Sequence, residues 1–117
     1  MSANSAVSEQ SADTTQSTAL HQTQIDAFVA DSPAWSLVDG KLCACYEFID
    51  FVAAFAFMSA VACEAERLGH HPDWRNVYRT VEISLWTHDV GAITALDLDL
   101  AQRIAIRATT QLSSPKG

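Results

Sequence analysis

From Phe51 to Cys63 the chain reads FVAAFAFMSAVAC, an apolar run broken only by Ser59. A membrane span needs roughly 20 such residues, so this stretch is expected to be a helix buried in protein. Asp50 is placed to cap its start, and the helix should run to Leu68 with Gly69 at the left-handed position past its end. Phe51, Phe55, Met58, Ala62 and Ala65 make one apolar row, while Val52, Ala56, Phe57 and Ala60 load the other faces. One face of a sheet cannot cover a helix that is apolar nearly all round. The simplest second cover is another copy of the chain, so a homodimer or homotetramer is expected, and Phe57→Glu is expected to dissociate it.

The remaining elements follow from periodicity and turn chemistry. Ile25, Phe28 and Val29 have helical spacing, and Ser32-Pro33 ends that helix. Trp35 to Val38 and Lys41 to Phe48 flank Asp39-Gly40, the dipeptide suited to a type I′ hairpin turn. Leu42, Ala44, Tyr46 and Phe48 then share one face, and Cys43, Cys45 and Glu47 the other. Asp73 to Tyr78 and Thr80 to His88 read as two more strands. The second alternates Val81, Ile83, Leu85 and Thr87 with Glu82, Ser84, Trp86 and His88. Asp89 to Ile93 is a turn. Thr94 opens a last helix with Leu96, Leu100, Ile104, Ala108 and Leu112 on one stripe, stopped by Ser113-Ser114-Pro115. The expected fold is α+β: a four-stranded antiparallel sheet with three helices on one face, in the order α-β-β-α-β-β-α. With 117 residues there is room for one domain. We expect it over residues 19–113, with a disordered Ser/Thr/Ala/Gln-rich tail at 1–18 and a short tail at 114–117.

Charge removes some functions. Seven Lys+Arg against 14 Asp+Glu give a net charge of -7, which disfavours nucleic acid bound through phosphate neutralisation. No membrane partner is expected. Cys43, Cys45 and Cys63 are odd in number, and a Cys-x-Cys pair on a strand sits at the limit of disulfide reach, so reduced thiols are expected. The first residues have neither a basic start nor an apolar run, which makes the cytoplasm the expected location.

Histidines are the candidate chemistry. His70 and His71 stand where the long helix hands over to the third strand, and His88 where the fourth strand ends. Imidazole titrates near neutrality, so several in one cleft would supply an acid and a base together. Adjacent histidines before a proline also serve simply to end a helix, where the dipole favours them. Spacing alone does not separate the two readings. A metal site would recruit Glu66, His70, His88 and Asp89, but the paired spacing of zinc sites is missing, so no metal is expected. Asp97, three residues after Thr94, fits a capping box. Trp74 and Tyr78 share a strand face; they suit a core, although a planar substrate could stack there. Cys63, in mid-helix, reads as an inert core thiol.

The segment from Ala65 through Glu66, His70-His71-Pro72, Trp74 and Asn76 to Tyr78 resembles the signature of the pterin-4a-carbinolamine dehydratases. The likeness continues through Val81, Leu85, Thr87-His88-Asp89, Ile93-Thr94 and Asp97, with Trp35, Phe48, Asp50-Phe51 and Phe55 upstream, and so spans Leu20 to Leu112. It implies removal of water from 4a-hydroxytetrahydropterin to give quinonoid dihydropterin, with pterin as substrate and no further cofactor. Carried over by position, His70 and His88 would exchange protons with the substrate, and His71 would bind and orient it. Pro72, Thr87, Asp89 and Val90 would line the pocket, with Trp74 as a further substrate contact. Glu66 and Asp97 would hold imidazoles from behind. The resemblance also supports a helix-mediated dimer or tetramer. Similar animal proteins double as dimerisation cofactors of a homeodomain transcription factor, so a non-catalytic binding module of this fold is the alternative. One departure stands out: Asp89-Val90-Gly91-Ala92 carries Ala92 where many relatives have a second glycine, a change that matters if φ is positive there.

Overall fold

Asp39 and Gly40 adopt φ of 51° and 75°, the two left-handed positions a type I′ turn requires. They join β1 (Trp35–Val38) to β2 (Lys41–Glu47) in the computed structural model, which describes residues 22–113. The expected tails at 1–18 and 114–117 lie outside the described residues. Ahead of β1, residues 22–31 form α1; after β2 come α2 (Phe51–Leu68), β3 (Asp73–Val77), β4 (Thr80–Leu85) and α3 (Ala95–Ser113). The sheet is antiparallel throughout, in the order β1-β2-β4-β3. This is the expected α+β architecture. Among the described residues no helix is long and apolar enough to cross a membrane.

Strand alternation fixes which face is covered. Leu42, Ala44 and Tyr46 of β2 and Val81, Ile83 and Leu85 of β4 are buried under the helices. Cys43, Cys45, Glu82 and Ser84 lie on the opposite face, which no helix covers. Ile25 of α1 joins the same core, and Phe28 meets Trp35 edge to face at 5.6 Å. The Asp50 carboxylate accepts the Ala53 N–H at 2.8 Å and caps α2 as expected.

Three expectations are corrected. β4 stops at Leu85 instead of His88, because its neighbours give out there: Leu42 pairs with Leu85 and Asp73 with Ser84, and neither β2 nor β3 continues far enough to pair with His88. β3 stops at Val77, and Tyr78 sits at φ 55° in the tight turn to β4, exposed and off the face that Trp74 occupies. The third correction concerns the rotation of α2. Its core side is Ala54, Phe57, Val61 and Ala65, and Phe57 is fully buried against Phe48 and Tyr46, with ring centroids 4.8 and 5.5 Å away. Phe51, Val52 and Phe55 are the large apolar residues left outside, and the same rotation leaves Cys63, expected in the core, exposed. Phe57 is therefore not available to a second copy.

α2 and α3 are also clamped by charge. Glu64, 7 % exposed, accepts from Arg107 Nε and Nη2 at 2.9 and 2.6 Å and from Arg103 Nη1 at 2.9 Å, and Arg67 lies 3.4 Å away. Hydrogen bonds from Arg107 and then Arg103 outweigh the opposing effect of burial and hold its carboxyl down at about 2. A folded-state value below the unfolded one gives stability that is present above the ordinary carboxylate range and lost as pH falls toward 2. The guanidiniums are a third or more exposed, so solvent screening reduces the contribution to about 1 kcal/mol. Glu64→Gln is expected to lower stability at pH 7 by that amount and to flatten the fall below pH 4.5. Urea unfolding at pH 7 and pH 3 measures both.

Candidate active site

The site is made where two chain reversals adjoin. At the end of α2, Gly69 takes φ 64°, its N–H donates to Glu66 O at 3.2 Å, and the His70 N–H donates to Ala65 O at 3.0 Å. This Schellman arrangement satisfies the last helical carbonyls and turns the chain sharply. Pro72 cannot extend the helix, so His70, His71 and Pro72 occupy the corner into β3. Beyond β4 the Thr87 N–H donates to Ala92 O at 2.9 Å and closes a loop that carries His88 and Asp89, with Gly91 at φ 62°. Because β3 and β4 are paired, with Asp73 opposite Ser84, the two corners stand side by side. Among the described residues only Asp39 and Tyr78 are non-glycines with positive φ. Ala92 therefore fits its loop without left-handed strain.

A cavity of about 600 Å3 opens between the corners, and His70, His71 and His88 all line it, together with Pro72, Thr87 and Asp89. Val90 and Trp74 are not among its lining residues: Val90 is exposed in the loop, and Trp74 packs against the core on the helix-covered face. Sequence reasoning passed over Gly69, Asp73, Ser84 and Trp86, which also line it. For Ser84 and Trp86 the signal was parity, since they alternate on the same face as His88. A depression of about 630 Å3 between α1 and α3 is lined by Asp31, Asp99 and neighbouring residues and holds no histidine.

Each imidazole is held differently. His70 is largely buried, and its Nε2 lies 2.5 Å from Oδ1 of Asp97, whose residue is fully buried. The other oxygen of Asp97 accepts the Thr94 N–H at 2.9 Å and the Thr87 hydroxyl at 2.7 Å. Thr87 spends its one proton on Asp97, so the Thr94 hydroxyl donates to Thr87 at 2.7 Å. Asp97 is thus both the helix cap and the partner of His70, one oxygen for each task. As a carboxylate it can only accept, which puts the His70 proton on Nε2 and leaves Nδ1 for a ligand. His71 Nε2 meets Glu66 Oε2 at 3.2 Å in a solvent-exposed pair. His88 instead lies flat on Trp86, with centroids 4.4 Å apart and planes inclined by 25°. Among the described residues no group of three His, Cys, Asp or Glu side chains is arranged to hold a metal.

A family model described as pterin 4 alpha carbinolamine dehydratase matches residues 18–106. A protein of Solibacter usitatus with the provisional name pterin-4-alpha-carbinolamine dehydratase is 45 % identical over 87 residues, covering 74 % of this chain and 92 % of its own. One of Rhodopseudomonas palustris with the same provisional name is 46 % identical over 92 residues, covering 77 % and 89 %. Among solved structures, a transcriptional coactivator/pterin dehydratase from Brucella melitensis superposes with a TM-score of 0.69 at 33 % identity, covering 74 % of this chain and 94 % of that one. A pterin dehydratase-like protein identified as a RuBisCO assembly factor shares the fold at 21 % identity, with a TM-score of 0.53 over 63 % of this chain and 86 % of that one.

Proposed function

Because the chain belongs to the pterin 4 alpha carbinolamine dehydratase family, we propose that its histidine-lined cavity removes water from a 4a-hydroxytetrahydropterin and releases the quinonoid dihydropterin. The observation that carries the reading is the convergence of His70, His71 and His88 on one cavity, with His70 backed by a buried carboxylate. Dehydration needs a base at the ring N5–H and an acid at the departing 4a-hydroxyl. Nδ1 of His70 takes the N5 proton, and Asp97 fixes the ring's tautomer and offsets the positive charge it acquires. The electrons of the N5–H bond form the N5=C4a double bond as the C4a–O bond breaks. A proton from His88 leaves with the hydroxyl as water, and exchange with solvent restores both imidazoles. His71, steadied by Glu66, orients the bicyclic ring. Pterin is the substrate, and the chemistry calls for no further cofactor. The product is the form that a reductase returns to tetrahydropterin, and the proposal extends to recycling the cofactor of aromatic amino acid hydroxylases.

The test is the rate of dehydration of freshly generated 4a-hydroxytetrahydropterin with and without the protein. Acceleration far above the spontaneous reaction is expected. A rate equal to the spontaneous one, with pterin still bound, would leave a binding module of the same fold.

We further propose that a second copy of the chain covers the outer stripe of α2. Phe51, Val52 and Phe55 are 47 %, 74 % and 54 % exposed, and they adjoin Ala56 and Ser59 in a shallow apolar depression. A monomer that left such a stripe in water would be prone to associate through it. Phe55→Glu is expected to keep the fold and shift the protein to monomer in sedimentation; an unchanged assembly would place the interface elsewhere.

A further inference from the structure

Two of the three imidazoles are steered by carboxylates, His70 by Asp97 and His71 by Glu66. The His88 ring has no hydrogen-bonding partner among the described residues and is exposed. What it has is the face of Trp86, 4.4 Å between centroids and nearly parallel. We infer that Trp86 is the positioning residue of His88, holding the imidazole plane by stacking where a hydrogen bond holds the other two, and that Lys41 braces the indole. For its kinetic consequence this inference rests on the dehydratase reading.

The placement follows from strand register. Leu42 pairs with Leu85 and Cys43 with Ser84, so carrying the antiparallel register one residue further sets Lys41 of β2 against Trp86. Both side chains belong to the uncovered face of the sheet. Lys41 Nζ lies 4.1 Å from the centroid of the Trp86 ring, a separation at which an ammonium is attracted by the aromatic quadrupole. Trp86 is the first residue past β4, so its indole is anchored at the end of the strand pair with Lys41 beside it, while His88 sits two residues further out in the loop. An exposed loop imidazole without a partner turns freely among its rotamers, and each turn moves the reactive nitrogen. Proton transfer demands alignment within about 10–20°, and a stacked ring keeps the imidazole plane fixed while leaving both nitrogens clear. A hydrogen bond would occupy one of them.

Trp86 also lines the cavity, so the experiment must separate positioning from direct contact with substrate. The variants are Trp86→Ala, Trp86→Phe and Trp86→Leu in the full chain. The first readout is the His88 ring signals in a carbon–proton correlation spectrum without ligand. Stacking on indole should shift them upfield in the wild type, and Trp86→Leu, which keeps bulk without a flat face, should abolish the shift. The second readout is kinetic. Trp86→Ala and Trp86→Leu should lower kcat about tenfold with KM changed less than about twofold, and Trp86→Phe should recover most of the loss. Should the alanine variant not fold, the leucine variant carries both readouts. A wild-type kcat in both variants overturns the inference. So does a loss confined to KM, which would make Trp86 a substrate wall, or a ring shift absent from the wild type. If the wild type does not accelerate dehydration, the dehydratase reading falls, while the ring shift still decides whether Trp86 holds His88.

Discussion

His70→Ala is expected to lower the rate of dehydration by about 10²-fold, the usual scale for lost acid–base assistance. The expectation comes from what surrounds the ring. Its Nε2 is committed to Asp97, and Asp97 is itself immobilised by the Thr94 N–H and the Thr87 hydroxyl, so the tautomer is fixed and the other nitrogen is left for the substrate. Removing the imidazole removes the base and leaves a fully buried carboxylate without its partner, which costs stability as well as rate. His70→Asn keeps a donor for Asp97 but cannot take up a proton at neutral pH. It should recover stability and not rate. Rates measured on freshly generated substrate, alongside urea unfolding, separate the two effects. A wild-type rate in either variant would remove His70 from the chemistry.

Phe57→Glu should abolish cooperative folding altogether. Phe57 is 0 % exposed, enclosed by Phe48, Tyr46 and the core side of α2. Truncating a buried Phe costs about 3–5 kcal/mol, and placing an unpaired carboxylate there adds a desolvation penalty. Together these approach or exceed the roughly 5–15 kcal/mol that holds a domain of this kind folded. Circular dichroism should show loss of the thermal transition, whereas Phe55→Glu, two residues away on the exposed side, should keep a cooperative transition, lowered only by what assembly contributes. A folded but dissociated Phe57→Glu protein would reverse the assignment of the two faces.

The contrast between Phe55 and Phe57 marks where sequence reading stops. Helix ends were legible because they depend on local chemistry: Asp50 caps, Gly69 turns left-handed, and Asp39-Gly40 closes the hairpin. The facing of β2 was legible because a strand has a period of two. α2 offered no such guide, since an apolar helix on all sides gives its length but not its rotation about its own axis. Strand ends at Leu85 and Val77 depended on where neighbouring strands run out, which is a property of the sheet. In the site, the spacing of His70, His71 and His88 raised the question of one cleft, and the antiparallel pairing of β3 with β4 brings them to one cavity. Asp97 read as a cap and is one; the resemblance implied that it also holds an imidazole, and the packing of α3 against the end of α2 identifies that ring as His70's. Trp86 was visible as a neighbour of His88 on the same strand face, yet nothing in the text gave the angle of its ring.

The most direct measurement of the central claim is a titration with a stable dihydropterin, followed through the ring signals of the histidines. If one pterin is gripped by all three imidazoles, the signals of His70, His71 and His88 should move together, with a single binding constant, in a full chain that retains its fold. Movement of one ring alone, or of none while the pterin binds, would contradict it.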